Sequence, residues 1–302
     1  MKYFLLALSV MFGSFRSIAS KGVKNFERGK SDLFFYNVFT FGVALIVVFL
    51  LSIAQLSSVF NGISVLLAVL YAIGTFAAQV FLTLATGSGS VSLSTLFYSC
   101  NFLIPTVFGT IYYHEPVHYL YFIGVALILL SFVLSVKPGG KGKINAKWLV
   151  LSLGGMVSSG FVGIIQKIYT NEFASASING LLIISFAVIV LLNFVLFCTI
   201  GKRELQKMTE TVESHKKRAA KGMMLSLVLG AIIGGQNILC FNVVKMFPSA
   251  VSFPVMNGGV ILLTAAISAI LLKEKLTLKQ TVAILIGVMA IVCIGIGKFL
   301  IA

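Results

Sequence analysis

Acidic residues are scarce: eight Asp and Glu stand against 23 Lys and Arg in 302 residues. Those eight (Glu27, Asp32, Glu115, Glu172, Glu204, Glu210, Glu213 and Glu274) fall in connectors or at the ends of apolar stretches. A carrier that swaps a proton for a cationic drug needs a carboxyl buried at mid-membrane, so that mechanism is not expected. The three histidines, His114, His118 and His215, lack the paired spacing of a zinc site. Cys100, Cys198, Cys240 and Cys293 all lie inside apolar stretches, where cysteine acts as a small apolar residue, and they form neither a disulfide framework nor a metal motif. No nucleophile with its base, metal cluster or paired carboxylates falls within those stretches, which argues against an enzyme. The TVGYG filter of a potassium-type channel is absent as well. The first apolar stretch lacks a small-x-small cleavage site leading into a polar domain, so it reads as a retained helix rather than a removed signal. No cofactor or metal is expected.

What the chain does have is apolar length. Hydrophobic residues make up 59%, charged residues 10%, and the mean hydropathy is +1.06, values that a soluble globule cannot reach. A spanning helix needs roughly 20 mostly apolar residues. Ten stretches approach that length: 3–20, 33–54, 63–85, 91–112, 119–136, 148–169, 179–200, 223–245, 250–272 and 280–301. The polar connectors between them read as loops, the longest running from about Gly201 to Gly222. The expectation is an all-α integral membrane protein of ten transmembrane helices.

The net charge of +15 is concentrated in those connectors, where it reports orientation and contact with anionic headgroups rather than nucleic acid. Lys21, Lys24, Arg28 and Lys30 follow the first stretch, Lys137 to Lys147 the fifth, Lys202 to Lys221 the seventh, and Lys273, Lys275 and Lys279 the ninth. All belong to one face; the other has little beyond Lys2, Lys167, Lys245 and Lys298. The positive-inside rule then puts the rich face in the cytoplasm and both termini outside.

The two halves share punctuation. GSVSLSTLFYSCNFLIPTVFGTIYYHEP pairs without a gap with PSAVSFPVMNGGVILLTAAISAILLKEK, so Ser90 and Glu115 match Ser249 and Glu274, and Tyr98 falls opposite Asn257. Lys21-x-x-x-Asn25 has its counterpart in Lys167-x-x-x-Asn171. A repeat of five spans must enter the membrane from opposite sides in its two copies, which gives two inverted five-helix repeats, residues 1–138 and 139–302.

Here the chain resembles the ten-helix drug/metabolite transporters that carry two EamA domains. The likeness is carried by Glu115-Pro116-Val117-His118 with Gly124 beyond, by Glu274-Lys275-Leu276-Thr277, and by Pro105 within the fourth stretch. The corresponding place in the ninth stretch is Thr264, with Pro254 earlier. The resemblance implies a carrier of small organic solutes with the third, fourth, eighth and ninth helices around a central cavity. It also implies both termini in the cytoplasm, against the loop charges.

Polar side chains inside spans must face a partner or water, and the candidate solute-binding set is Arg16, Gln79, Tyr98, Asn101, Gln236, Asn237 and Asn257. The alternative for each is interhelical hydrogen bonding that only holds the bundle together. Arg16 either reaches the headgroups with its stem or grips a carboxylate or phosphate of the solute. Lys21 and Lys167 either guard the cavity mouths or anchor helices at the interface. Gly155, Ser159 and Gly163, and again Gly230 and Gly234, recur at fourth positions that permit close helix packing. The reading is a membrane carrier working by alternating access in the cytoplasmic membrane, with a non-transporting scaffold as the alternative. The expected partners are a small-molecule solute, lipid and a second copy of the chain, with no nucleic acid.

Overall fold

The computed structural model describes residues 1–27, 29–53, 62–88, 91–135, 146–173, 176–201, 212–271 and 277–301. Among these there is no strand. The helices are α1 (Lys2–Lys24), α2 (Lys30–Ser52), α3 (Gly62–Ser88), α4 (Val91–Ser99), α5 (Leu103–Tyr112), α6 (Tyr119–Ser135), α7 (Ala146–Glu172), α8 (Ile178–Leu196), α9 (Val212–Met246), α10 (Ser249–Leu271) and α11 (Leu278–Ile301). A 3-10 turn, Cys100–Phe102, separates α4 from α5, and a π turn, Phe197–Gly201, prolongs α8. α1, α2, α3, α7, α8 with its π turn, α9 and α10 supply seven segments long and apolar enough to cross a membrane; α6 and α11 contain shorter apolar helices, Tyr119–Leu134 and Thr281–Gly297.

Two departures from expectation have local causes. The fourth stretch is broken because Pro105 has no N–H to offer the carbonyl of Asn101 and its ring crowds that carbonyl; the backbone tightens into the 3-10 turn just upstream. Pro254, by contrast, sits inside the continuous α10. α9 begins at Val212, well before the expected Met223. Its leading residues, VESHKKRAAKG, are mostly good helix formers, and hydropathy marks where lipid begins rather than where helix begins. The repeat's landmarks Ser90, Glu274 and Lys275 lie outside the described residues.

The chain separates into two compact units, each drawing on both halves of the sequence. One comprises residues 11–72 and 175–240. In it α2 pairs with α8 through a buried hydrogen bond from Asn37 Nδ2 to Asn193 Oδ1 (3.2 Å), and Ser185 Oγ donates to the Ala68 carbonyl (2.9 Å). α9 approaches α2 so closely that a Cβ on Gly230 would meet the Thr40 carbonyl oxygen, and one on Gly234 would stand 3.1 Å from that of Ala44. Arg218 Nη1 closes the same contact at its charged end, donating to Asp32 Oδ2 (2.5 Å) and the Phe26 carbonyl (2.7 Å). Asp32 stands in the first turn of α2, where the helix dipole also favours an anion.

The other unit comprises residues 1–10, 73–174 and 241–302. α6 packs on α11 through Ser131 Oγ, which donates to the Ala283 carbonyl (2.6 Å), and through Gly297, whose Cβ position faces the Tyr121 ring at 2.9 Å. α7 lies against α4 and α5 along the small-residue face seen in the sequence: a Cβ on Gly163 would stand 2.7 Å from Pro105 Cγ, and one on Gly155 3.7 Å from Tyr98 Cδ2. These glycines are sites of close approach, which is what the spacing permits.

Candidate functional site

All seven candidate residues are described and all seven are half-buried. Arg16, Gln236 and Asn237 belong to the unit of residues 11–72 and 175–240; Gln79, Tyr98, Asn101 and Asn257 belong to the other.

α1 and α9 run antiparallel, since Phe12 faces Gly235 (3.0 Å to its Cβ position) while Leu225 faces Gly22 (3.6 Å). That register sets the Arg16 backbone level with Ala231, about five residues or about 7.5 Å from Gln236. Helical side chains lean toward their own N-terminus, so Arg16 and Gln236 lean toward each other, and Arg16 Nη1 donates to Gln236 Oε1 at 3.2 Å. The guanidinium is therefore turned away from the end of α1 that carries Lys21 and Lys24. Arginine has only donors, which fixes the amide: Gln236 presents its oxygen to Arg16 and keeps its NH2 for something else. No carboxylate among the described residues pairs with Arg16.

Asn237, next along, is committed to the fold. Its Oδ1 accepts from Tyr71 Oη at 2.7 Å and its Nδ2 donates to the Ile233 carbonyl at 2.9 Å. Tyr71, buried to 3% exposure, is a partner that a search for amides and charges passes over, because tyrosine reads as an apolar residue in a membrane span.

In the other unit Asn101, at the helix break, donates from Nδ2 to Ser159 Oγ (2.6 Å). Tyr98 lies against Gly155, 3.7 Å from its Cβ position. Asn257 Nδ2 donates to the Phe253 carbonyl (3.0 Å) on its own helix. Gln79 sits on α3, its backbone carbonyl accepting from Thr83 Oγ1 (2.9 Å). Tyr98 and Asn257, opposite each other in the repeat overlay, share no hydrogen bond.

A charged cluster in this unit was not foreseen. His114, just after α5, adopts φ 49°, a left-handed conformation that histidine tolerates better than most residues. Glu115 then reaches the start of α10, where its Oε2 accepts from the Ser249 N–H at 2.7 Å and its Oε1 pairs with Lys167 Nζ at 2.5 Å. The two side chains are 11% and 4% exposed. Lys167 is thus no interfacial anchor: near the end of α7 it takes a buried carboxylate instead of headgroups, because Glu115 brings the counter-ion to it. Beside them Tyr113 Oη donates to Glu172 Oε1 (2.8 Å). Desolvation, and then that hydrogen bond, raise the phenol above its usual range. The sequence signal was Lys167 itself, a cation within an otherwise uncharged helical face.

A groove of about 530 Å³ lined by Phe108, Ile111, Tyr112 and His114 is open and apolar, and none of the seven candidates lines it. Among the described residues no three His, Cys, Asp or Glu come together as a metal site.

No curated protein matches the chain in sequence. A solved structure described as "Crystal structure of protein" is similar over 100% of this chain and 99% of its own, with a TM-score of 0.69 at 13% identity, a likeness of fold. The model of the EamA-like transporter family matches residues 146–296, half of the sequence, beginning at the first residue of α7 and ending within α11. The chain belongs to the EamA-like transporter family, within the drug/metabolite transporter superfamily.

Proposed function

We infer that the chain is a carrier that moves a small organic metabolite, neutral, zwitterionic or anionic, across the cytoplasmic membrane by alternating access. In this reading its ten spans form two inverted repeats, residues 1–138 and 139–302. Family membership supports the transporter class. The observation that carries the rest is the set of half-buried polar groups on apolar spans whose hydrogen-bonding capacity the protein does not use up: Arg16 and the Gln236 amide, the Tyr98 hydroxyl and the Asn257 carbonyl. Lipid cannot satisfy such groups, and water or a solute can.

Transport proceeds without a proton-exchanging carboxyl. Asp32 and Glu115 are nearly buried, but each is held by a full cation, Arg218 and Lys167, and stands at a helix N-terminus. Each carboxylate is thus spent on contacts within the protein, Asp32 tying α2 to α9 through Arg218 and Glu115 tying the residues after α5 to α7 and α10. The loop lysines and arginines favour termini outside; a C-terminal reporter active only in the cytoplasm would reverse that orientation and leave the fold unchanged.

Metabolite profiles of cells with and without the protein test the reading. One or a few small metabolites should shift across the membrane, and Tyr98→Ala or Asn257→Ala should reduce that shift about tenfold, the worth of one lost hydrogen bond, at unchanged membrane insertion. Wild-type shifts in both variants would remove these residues from the site.

A further inference from the structure

Arg16 and Gln236 present a surplus of one kind of group. Arginine carries five N–H donors and glutamine two, and the described contacts use one of the seven, between the two residues themselves. The one acceptor atom of the pair, Gln236 Oε1, already accepts from Arg16. A guanidinium held this far along an apolar helix, without a carboxylate partner, is expensive, and the missing partner is an anion. We propose that Arg16 and Gln236 form an anion subsite and that the transported solute carries a single carboxylate, bound by the guanidinium and the Gln236 NH2. This rests on the carrier reading above.

Charge count favours a carboxylate over a phosphate. Among the described side chains of this compact unit Lys21, Lys24 and Lys221 are exposed and Arg218 is committed to Asp32, so of those cations Arg16 alone stands at the subsite. One guanidinium neutralises one carboxylate in its planar two-pronged geometry; a phosphate monoester near neutral pH brings about two charges. Gly235, which lets Phe12 come within 3.0 Å of its Cβ position, holds α1 close enough to α9 for the two side chains to share one ligand. Tyr71 and Asn237 lock the next position of α9.

The purified full chain in detergent is titrated with acetate, pyruvate, benzoate and L-alanine, each beside its primary amide, and with phenyl phosphate, reading the shift in Tm. At least one carboxylate should raise Tm where its amide and phenyl phosphate do not. Arg16→Gln should weaken that binding tenfold or more, and Arg16→Lys should retain part of it. Gln236→Glu keeps the side-chain length and gives Arg16 an internal counter-ion, so it should preserve or raise the basal Tm while abolishing the carboxylate shift. The proposal is overturned if none of the four carboxylates shifts Tm, if an amide or phenyl phosphate does so equally, or if Gln236→Glu binds like wild type. The carrier reading fails separately. A bound carboxylate that never crosses proteoliposomes removes the carrier and leaves the subsite, whereas amide flux indifferent to Arg16→Gln leaves the carrier and removes the subsite.

Discussion

Lys167 and Glu115 make the strongest case for how a single pair shapes this protein. A buried ion pair is weak evidence of net stability, yet removing one partner leaves a naked charge and costs about 3–5 kcal/mol. Lys167→Met should therefore lower Tm sharply, and adding Glu115→Leu should recover most of the loss; a single variant as stable as wild type would show that the pair is not buried in the membrane. Glu27, in the turn after α1, offers a pH test. Its carboxyl is raised, first by desolvation and then by Asp32, against the opposing pull of Lys24. A raised carboxyl contributes stability below its ordinary range and loses it as pH climbs through the raised value. Glu27→Gln should thus raise Tm at neutral pH and leave it unchanged near about pH 4. Individual polar residues were legible in the sequence as candidates but not as pairs. Composition and spacing identified Arg16 and Gln236, whereas their contact depends on the antiparallel register of α1 and α9, and Lys167 meets Glu115 across 52 positions of sequence.

Helices were the most legible level, since a bilayer imposes both length and apolarity on any segment that crosses it. The described helices coincide with the ten stretches to within a few residues at nearly every end; α9 exceeds its stretch because helix propensity continues beyond the apolar run. Pro105 was visible, but the break it makes at Cys100–Phe102 depends on the rest of the span, as the unbroken α10 around Pro254 shows. Pro105→Ala should restore the missing backbone hydrogen bond, keep or raise Tm, and slow transport if the break is what exposes Asn101; unchanged transport kinetics would detach the break from function. Gly230→Val would drive a side chain into the Thr40 carbonyl, an overpacking that costs about 1–3 kcal/mol, while Gly42→Ala, with nothing within 4 Å of its Cβ position, should gain about 0.5–1 kcal/mol from helix propensity. Comparing the two Tm values separates glycines that permit contact from those that do not.

For the molecule as a whole, the compact units and the sequence halves divide the chain differently. Each unit takes helices from both halves of the sequence, and no reading of hydropathy alone would give it. Seven candidates that look like one list in the sequence are shared between those units, three in one and four in the other. The direct test is flux. Liposomes containing the purified full chain are loaded with a mixed metabolite extract, and the outside medium is followed by mass spectrometry over minutes. The account predicts selective release of one or a few carboxylate-bearing metabolites, at least tenfold slower with Arg16→Gln. Release no faster than from protein-free liposomes, for every metabolite, would contradict it.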